Sequence, residues 1–318
     1  MMVSRAAVAL LFLLSLAQGC SHSASPLNAR PNHRASGPPP QVLAVYEAWF
    51  GHPRHISVGY SSHDPAVIRR QIQQAKALGI SGFVVDWYGY RQPFIDRSYA
   101  LMQSIAAEEN FHVAMMYDET EDEEGATDES IEDLKLFQKI YLAPNAPGRQ
   151  AYLMYNGRPV IFIFPKRHTD WGRVRTEINK WNPAPLLIDE FPPGKFASSM
   201  DGYYAWVNPV LSGDGNNWGS QYLTDFYNTM QSKYPDAIAV GGAWASFDDS
   251  KASWGLNRHI NPRCGQTLTD TLNVWHQQSV KYYMPYLLIG TWNDYEEGTA
   301  IEKGIDTCGS GKPQPSLH

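Results

Sequence analysis

Cysteine is scarce in this chain. Its 318 residues contain three, Cys20, Cys264 and Cys308. They lie too far apart for metal-ligand spacing, and the 10 histidines form no HExxH pair, so no metal site is expected. No glycine-rich dinucleotide fingerprint follows the first apolar run and no phosphate motif is present, so no cofactor is expected. Positive charge is in deficit too. Lys and Arg number 26 against 32 Asp and Glu, a net charge of -6, which argues against a nucleic-acid partner. The N-terminal apolar run, Ala6 to Leu16, is too short to span a bilayer.

That run is nevertheless informative. Arg5 supplies a short basic start, and the small residues Ala17 and Gly19 suit signal-peptide cleavage after Gly19. Export is the expectation: periplasmic, at the cell surface or secreted. A cysteine directly after the cleavage point also resembles a bacterial lipoprotein signal, although Gln18 is bulkier than that pattern usually has. Membrane attachment through a lipidated Cys20 and simple release both remain open. Residues 20–40, ending in Gly37-Pro38-Pro39-Pro40, read as a disordered linker. A folded domain is expected over 41–305 and a tail over 306–318. An oxidising compartment would allow Cys264 and Cys308 to pair.

Hydrophobic residues make up 43% of the chain, enough for a substantial core. Strand-length apolar runs alternate with helical periodicity. Strands are expected near residues 43, 84, 115, 162, 187, 204, 239 and 289. Helices are expected over 64–78, 94–109, 128–142, 171–181, 220–234 and 267–281. Asp64-Pro65 reads as a helix cap, and Asn156-Gly157 as the turn of a hairpin feeding the fourth strand. Continuous apolar strands alternating with helices predict a parallel sheet buried on both faces. Eight such units in under 300 residues predict a single (β/α)8 barrel, whose functional groups gather at the C-terminal ends of the strands.

The last apolar run ends in Trp292-Asn293-Asp294-Tyr295-Glu296-Glu297-Gly298. Leu and Ile favour burial and the acids resist it, so this boundary predicts the mouth of a buried strand. A carboxyl group there can have its pKa raised while a neighbour stays ionised. Asp294 and Glu297 are three apart, and a tight turn would point both the same way. Two carboxylates beside aromatic rings suit cleavage of a glycosidic bond. A solvated acidic turn capping a helix is the other reading of the same spacing.

Three stretches resemble a known group. Ser61-Ser62-His63-Asp64-Pro65 through Val84-Val85-Asp86-Trp87, Asn156-Gly157-Arg158-Pro159-Val160-Ile161, and Thr291 through Glu302 are similar to glycoside hydrolase family 99, over roughly residues 42–302. That family comprises (β/α)8 endo-acting α-mannosidases and α-mannanases with a catalytic pair in an Asn-Glu-x-x-Glu motif. Carried over, the pair falls on Asp294 and Glu297. The first acid here is Asp, so its oxygens sit back by about one methylene, ~1.5 Å. The string Trp292-Asn293-Asp294-Tyr295 is closer to family 71, the endo-acting α-1,3-glucanases.

The resemblance implies an α-linked mannan or glucan as substrate, with Glu297 as general acid and Asp294 as base or ionised partner. Asn293 would bond a sugar hydroxyl or orient Asp294, or else cap the turn. Asp86, Glu119 and Asp189 are candidates for binding sugar hydroxyls, against roles as caps or ion pairs. Trp87, Tyr88, Trp206, Trp244 and Trp292 are candidate stacking platforms, against packing in the core. Tyr46 and His52 are placed near the cleft by the first strand. The rival to an enzyme is a catalytically inactive carbohydrate-binding lipoprotein on the same barrel.

Overall fold

The computed structural model describes residues 37–120, 122–210 and 213–302. The expected signal peptide, Cys20, most of the linker, Cys308 and the tail lie outside the described residues. Cys264 is an exposed free thiol. Among the described residues no helix is long and apolar enough to cross a membrane.

Eight parallel strands close on themselves: β1 Gln41–Tyr46, β2 Gly82–Trp87, β3 His112–Asp118, β4 Arg158–Phe164, β5 Leu186–Glu190, β6 Gly202–Tyr204, β7 Ile238–Ala243 and β8 Tyr286–Ile289. Each pairs with the next, and β8 returns to β1 with Leu43 opposite Leu288. This is the (β/α)8 barrel expected. Six α-helices connect the strands: α1 Pro65–Ala77, α2 Pro93–Glu108, α3 Ala126–Phe137, α4 Trp171–Ile178, α5 Ser220–Lys233 and α6 Gln266–Ser279. Between β5 and β6 there is only a 3-10 turn, Ala197–Ser199.

Local chemistry explains the helix starts. The Asp64 side chain accepts from Ala66 N at 2.8 Å and Pro65 opens α1, which buries Val67, Ile68, Ile72 and Ala75. Asp170 caps α4 through Gly172 N and Arg173 N. Some boundaries differ from expectation. Beyond α3, residues Gln138–Leu142 continue as a π-turn. The hairpin strand before β4 shrinks to Met154–Tyr155, paired antiparallel with Arg158 and Pro159.

Alternation along the strands sorts their side chains. Leu43, Val45, Val84, Ala114, Met116, Val160, Phe162, Leu186, Ile188, Tyr204, Val240, Tyr286 and Leu288 pack together. That cluster draws on all eight strands, so it fills the barrel axis. The alternate residues, among them Tyr46, Phe83, Val85, Trp87, Met115, Tyr117, Ile161 and Leu187, form a second cluster with helix residues such as Ile68, Tyr99, Phe137 and Val174. Successive strand residues face opposite sides. Continuing the inward series past its apolar members therefore reaches Glu47 just after β1, Asp86 on β2, Asp118 on β3, Phe164 on β4 and Trp206 after β6.

Candidate active site

Those residues meet at the C-terminal mouth of the barrel. A cavity of about 500 Å³ is lined there by Glu47, Asp86, Asp118, Asp294 and Glu297, with Trp49, Tyr88, Trp206 and Trp254 beside them. Val45, Met116 and Phe164 contribute apolar wall, and His52, Arg54, His55, Lys166 and Arg258 also reach the lining.

The turn after β8 fixes the carboxylate pair. Thr291 Oγ1 accepts from Asp294 N at 2.8 Å, and Asp294 Oδ1 accepts from Glu296 N and Glu297 N at 2.9 and 2.8 Å. Gly298 closes the turn at φ 63°, a left-handed conformation suited to glycine. Asp248 N, in the loop after β7, donates to Glu297 O at 2.7 Å. Asp294 is buried and Glu297 half-buried, the latter accepting from Trp254 Nε1 at 3.0 Å. The expected tight turn is present and both side chains line one cavity.

Their neighbours divide the work. Asn293 does not reach the cavity lining. Its Oδ1 accepts from Glu47 N at 2.7 Å, while its Nδ2 donates to Glu47 O at 3.0 Å and to Tyr60 Oη at 3.3 Å. Asn293 thus clamps the backbone that presents Glu47, rather than capping the turn. Glu296 points away, to His55 Nδ1 at 2.7 Å and Ile56 N at 3.2 Å. That contact holds the loop after β1, where Trp49 stacks on His55 with ring centroids 4.6 Å apart.

Charge crowding in a poorly solvated space shifts the acids upward. Burial, with Asp86, Asp294 and Glu297 nearby, pushes Glu47 well above the carboxylate range. Burial raises Asp86 to about 6, against a Tyr88 hydrogen bond and Lys166, which lower it. Burial and the Glu297 charge raise Asp294 well above its usual value. Burial raises Glu297 also, opposed by the Trp254 hydrogen bond and the Arg258 charge. The Glu297 charge thus opposes ionisation of Asp294. No three His, Cys, Asp or Glu side chains among the described residues are grouped to hold a metal ion.

Of the sequence candidates, Asp86, Tyr88, Trp206, His52, Asp294 and Glu297 line the cavity. Several others are corrected by their burial. Tyr46, Trp87 and Trp292 sit in the layer between barrel and helices, and Trp87 Nε1 donates to Asp96 Oδ1 at 3.2 Å. Trp244 packs under α5 with Nε1 on Trp218 O at 3.1 Å. These four rings offer no free face to a sugar. Glu119 accepts from Lys166 N, His168 N and Trp171 Nε1, and so anchors the loop after β4. Asp189 pairs with Arg167 Nη1 at 3.0 Å.

Glu47, Asp118, Trp49, Lys166, Trp254 and Arg258 were not among the sequence candidates. Strand alternation identifies the first two, since each continues the inward series of its strand. No local signal marks Trp254 and Arg258. Their loop is positioned by buried Asp249, which accepts from Leu256 N at 3.1 Å, Arg258 N at 2.7 Å and Arg258 Nε at 2.7 Å.

No protein-family model matches the chain, and no curated protein sequence does. Solved structures do. An endo-α-mannosidase of glycoside hydrolase family 99 from Bacteroides thetaiotaomicron, in complex with bis-tris-propane, is 16% identical with a TM-score of 0.66, covering 82% of this chain and 86% of that one. A second structure, also of the family 99 endo-α-mannosidase from that organism, has a TM-score of 0.65 at 16% identity, covering 82% and 87%. A glycoside hydrolase-like protein has a TM-score of 0.59 at 14% identity, covering 86% and 90%. What these structures share with this chain is the (β/α)8 fold.

Proposed function

We propose that the protein is a glycoside hydrolase that cleaves α-linked polysaccharide, an α-mannan or α-glucan, with Asp294 and Glu297 as its carboxylate pair. The observation that carries this reading is the convergence of those two acids, held on one turn, in a sugar-sized cavity with aromatic walls. Burial raises both acids and the Glu297 charge raises Asp294 further, which opposes full ionisation of the two. Glu297, at the open side, hands its proton to the leaving oxygen. Asp294, held by two backbone N–H groups, is the base or ionised partner. The string Trp292-Asn293-Asp294-Tyr295 resembles family 71 more than family 99, so α-glucan and α-mannan are both substrates to test.

Glu297→Gln keeps the shape and removes the proton donor. A fall in kcat of about 10²-fold or more is expected on whichever α-mannan or α-glucan the wild type cleaves. Wild-type rates in the variant would sink the assignment. Calorimetric binding of these glycans with no product release by the wild type would instead identify a carbohydrate-binding protein. Export, with or without lipid on Cys20, belongs to the same proposal. Fatty-acid labelling that persists in Cys20→Ala would rule out the lipid.

A further inference from the structure

The inner wall of the cavity carries more acid than the proposed reaction uses. Asp294 and Glu297 account for the chemistry, yet Glu47 and Asp86 face the same space from the ends of β1 and β2. The nearby cations are engaged. Lys166 Nζ lies 3.5 Å from Asp118 Oδ1 and Arg258 Nε lies 2.7 Å from Asp249 Oδ2. Arg54 is exposed at the rim.

Glu47 and Asp86 are only 3% and 6% exposed, and neither Glu47 Oε2 nor Asp86 Oδ1 meets a hydrogen-bond donor. Both carboxyl groups line the same cavity. Either oxygen can accept from a neutral donor, but a charged donor bonds a carboxylate more strongly and also offsets the crowding of negative charge. A neutral sugar hydroxyl brings one donor and no charge. An ammonium group brings three donors and a full charge, and Trp49, Tyr88 and Trp206 line the same cavity. Asn293 fixes the Glu47 backbone from both sides.

We propose that this cavity, besides neutral α-glycan, takes a hexosamine whose protonated amino group seats against Glu47 and Asp86. The inference rests on the glycoside reading of the cavity and names the class of sugar. It makes the cationic, non-acetylated form of an α-linked amino-sugar chain the preferred ligand. N-acetylation removes that preference by removing the charge.

The test is calorimetric titration of the full chain with a short α-linked galactosamine oligosaccharide, and with the same oligosaccharide after N-acetylation. The amine form is expected to bind at least about tenfold tighter, with the advantage shrinking as salt is added. Glu47→Gln and Asp86→Asn should each lose most of that advantage while still binding the acetylated chain, which also reports that they are folded. Equal binding of the two forms by the wild type, binding of neither, or an advantage that survives both substitutions overturns the proposal. The wild-type comparison decides even if a variant fails to fold. Cleavage of neutral α-mannan or α-glucan without amine preference leaves the proposed activity standing and removes this inference. Amine preference without cleavage of any glycan does the reverse.

Discussion

Trp254 offers a way to move the proton of the catalytic pair without touching either carboxylate. Its indole N–H donates to Glu297 Oε1 at 3.0 Å and favours the ionised form, while burial acts in the opposite direction. Trp254→Phe keeps a ring near Trp49, whose centroid lies 6.1 Å away, and removes the donor. A hydrogen bond to a charged group contributes about 1.5–3 kcal/mol. Trp254 is 43% exposed, so water replaces part of this and the lower end applies. At ~1.4 kcal/mol per pKa unit, the loss raises the pKa of Glu297 by about one unit. The pair then keeps its proton to higher pH. The alkaline limb of kcat/KM on an α-mannan or α-glucan should move up by about one unit, with the maximal rate little changed. Trp254→Ala should show the same shift plus a rise in KM from the lost ring. An alkaline limb that stays put in Trp254→Phe, or moves down, refutes Glu297 as the proton-delivering group.

Other substitutions separate positioning from packing. Asn293→Ala strips both partners from the Glu47 backbone and should cost about 2–4 kcal/mol in denaturant unfolding, because a buried N–H and C=O are left unpaired. Asp86, raised to about 6 in the fold, binds its proton more tightly there than in the unfolded chain. Stability should therefore fall as pH rises from the unfolded value of about 3.9 through about 6, by at most ~3 kcal/mol from this group. Asp86→Asn cannot titrate, and its unfolding midpoint should decline less over that window. Trp87→Phe should cost about 1–3 kcal/mol of stability, from lost packing and the Asp96 hydrogen bond, and leave KM for the glycan unchanged. A changed KM with unchanged stability would return Trp87 to the cleft.

The barrel was legible because its strands are buried on both faces and read as unbroken apolar runs, each expected strand matching one of β1 to β8. Strand ends were legible too, but not which side chain at each end turns inward. Asp86 and Trp87 are adjacent and equally conspicuous in the sequence, yet a period of two sends Asp86 into the cavity and Trp87 into the helix layer. The same period passes over Tyr46 and selects Glu47. Loop residues follow another logic. Trp254 reaches Glu297 across 43 positions, and Asn293 reaches Glu47 across 246. Such contacts have no period and become visible only once the barrel closes.

The acids of the closing stretch illustrate how one motif serves both fold and site. Four carboxyl groups occur between Asp294 and Glu302, and only Asp294 and Glu297 face the cavity. Glu296 anchors the loop after β1 through His55, and Glu302 accepts from Tyr60 Oη at 3.0 Å and Gln71 Nε2 at 2.8 Å, tying the turn to α1. The two facing acids thus sit on a turn whose other two carboxyl groups are hydrogen-bonded into the surrounding fold. This arrangement lets crowded, incompletely paired carboxyls persist at the barrel mouth. The cost of burying them is offset by a surrounding frame that cannot relax, and a ligand that satisfies them recovers that cost on binding.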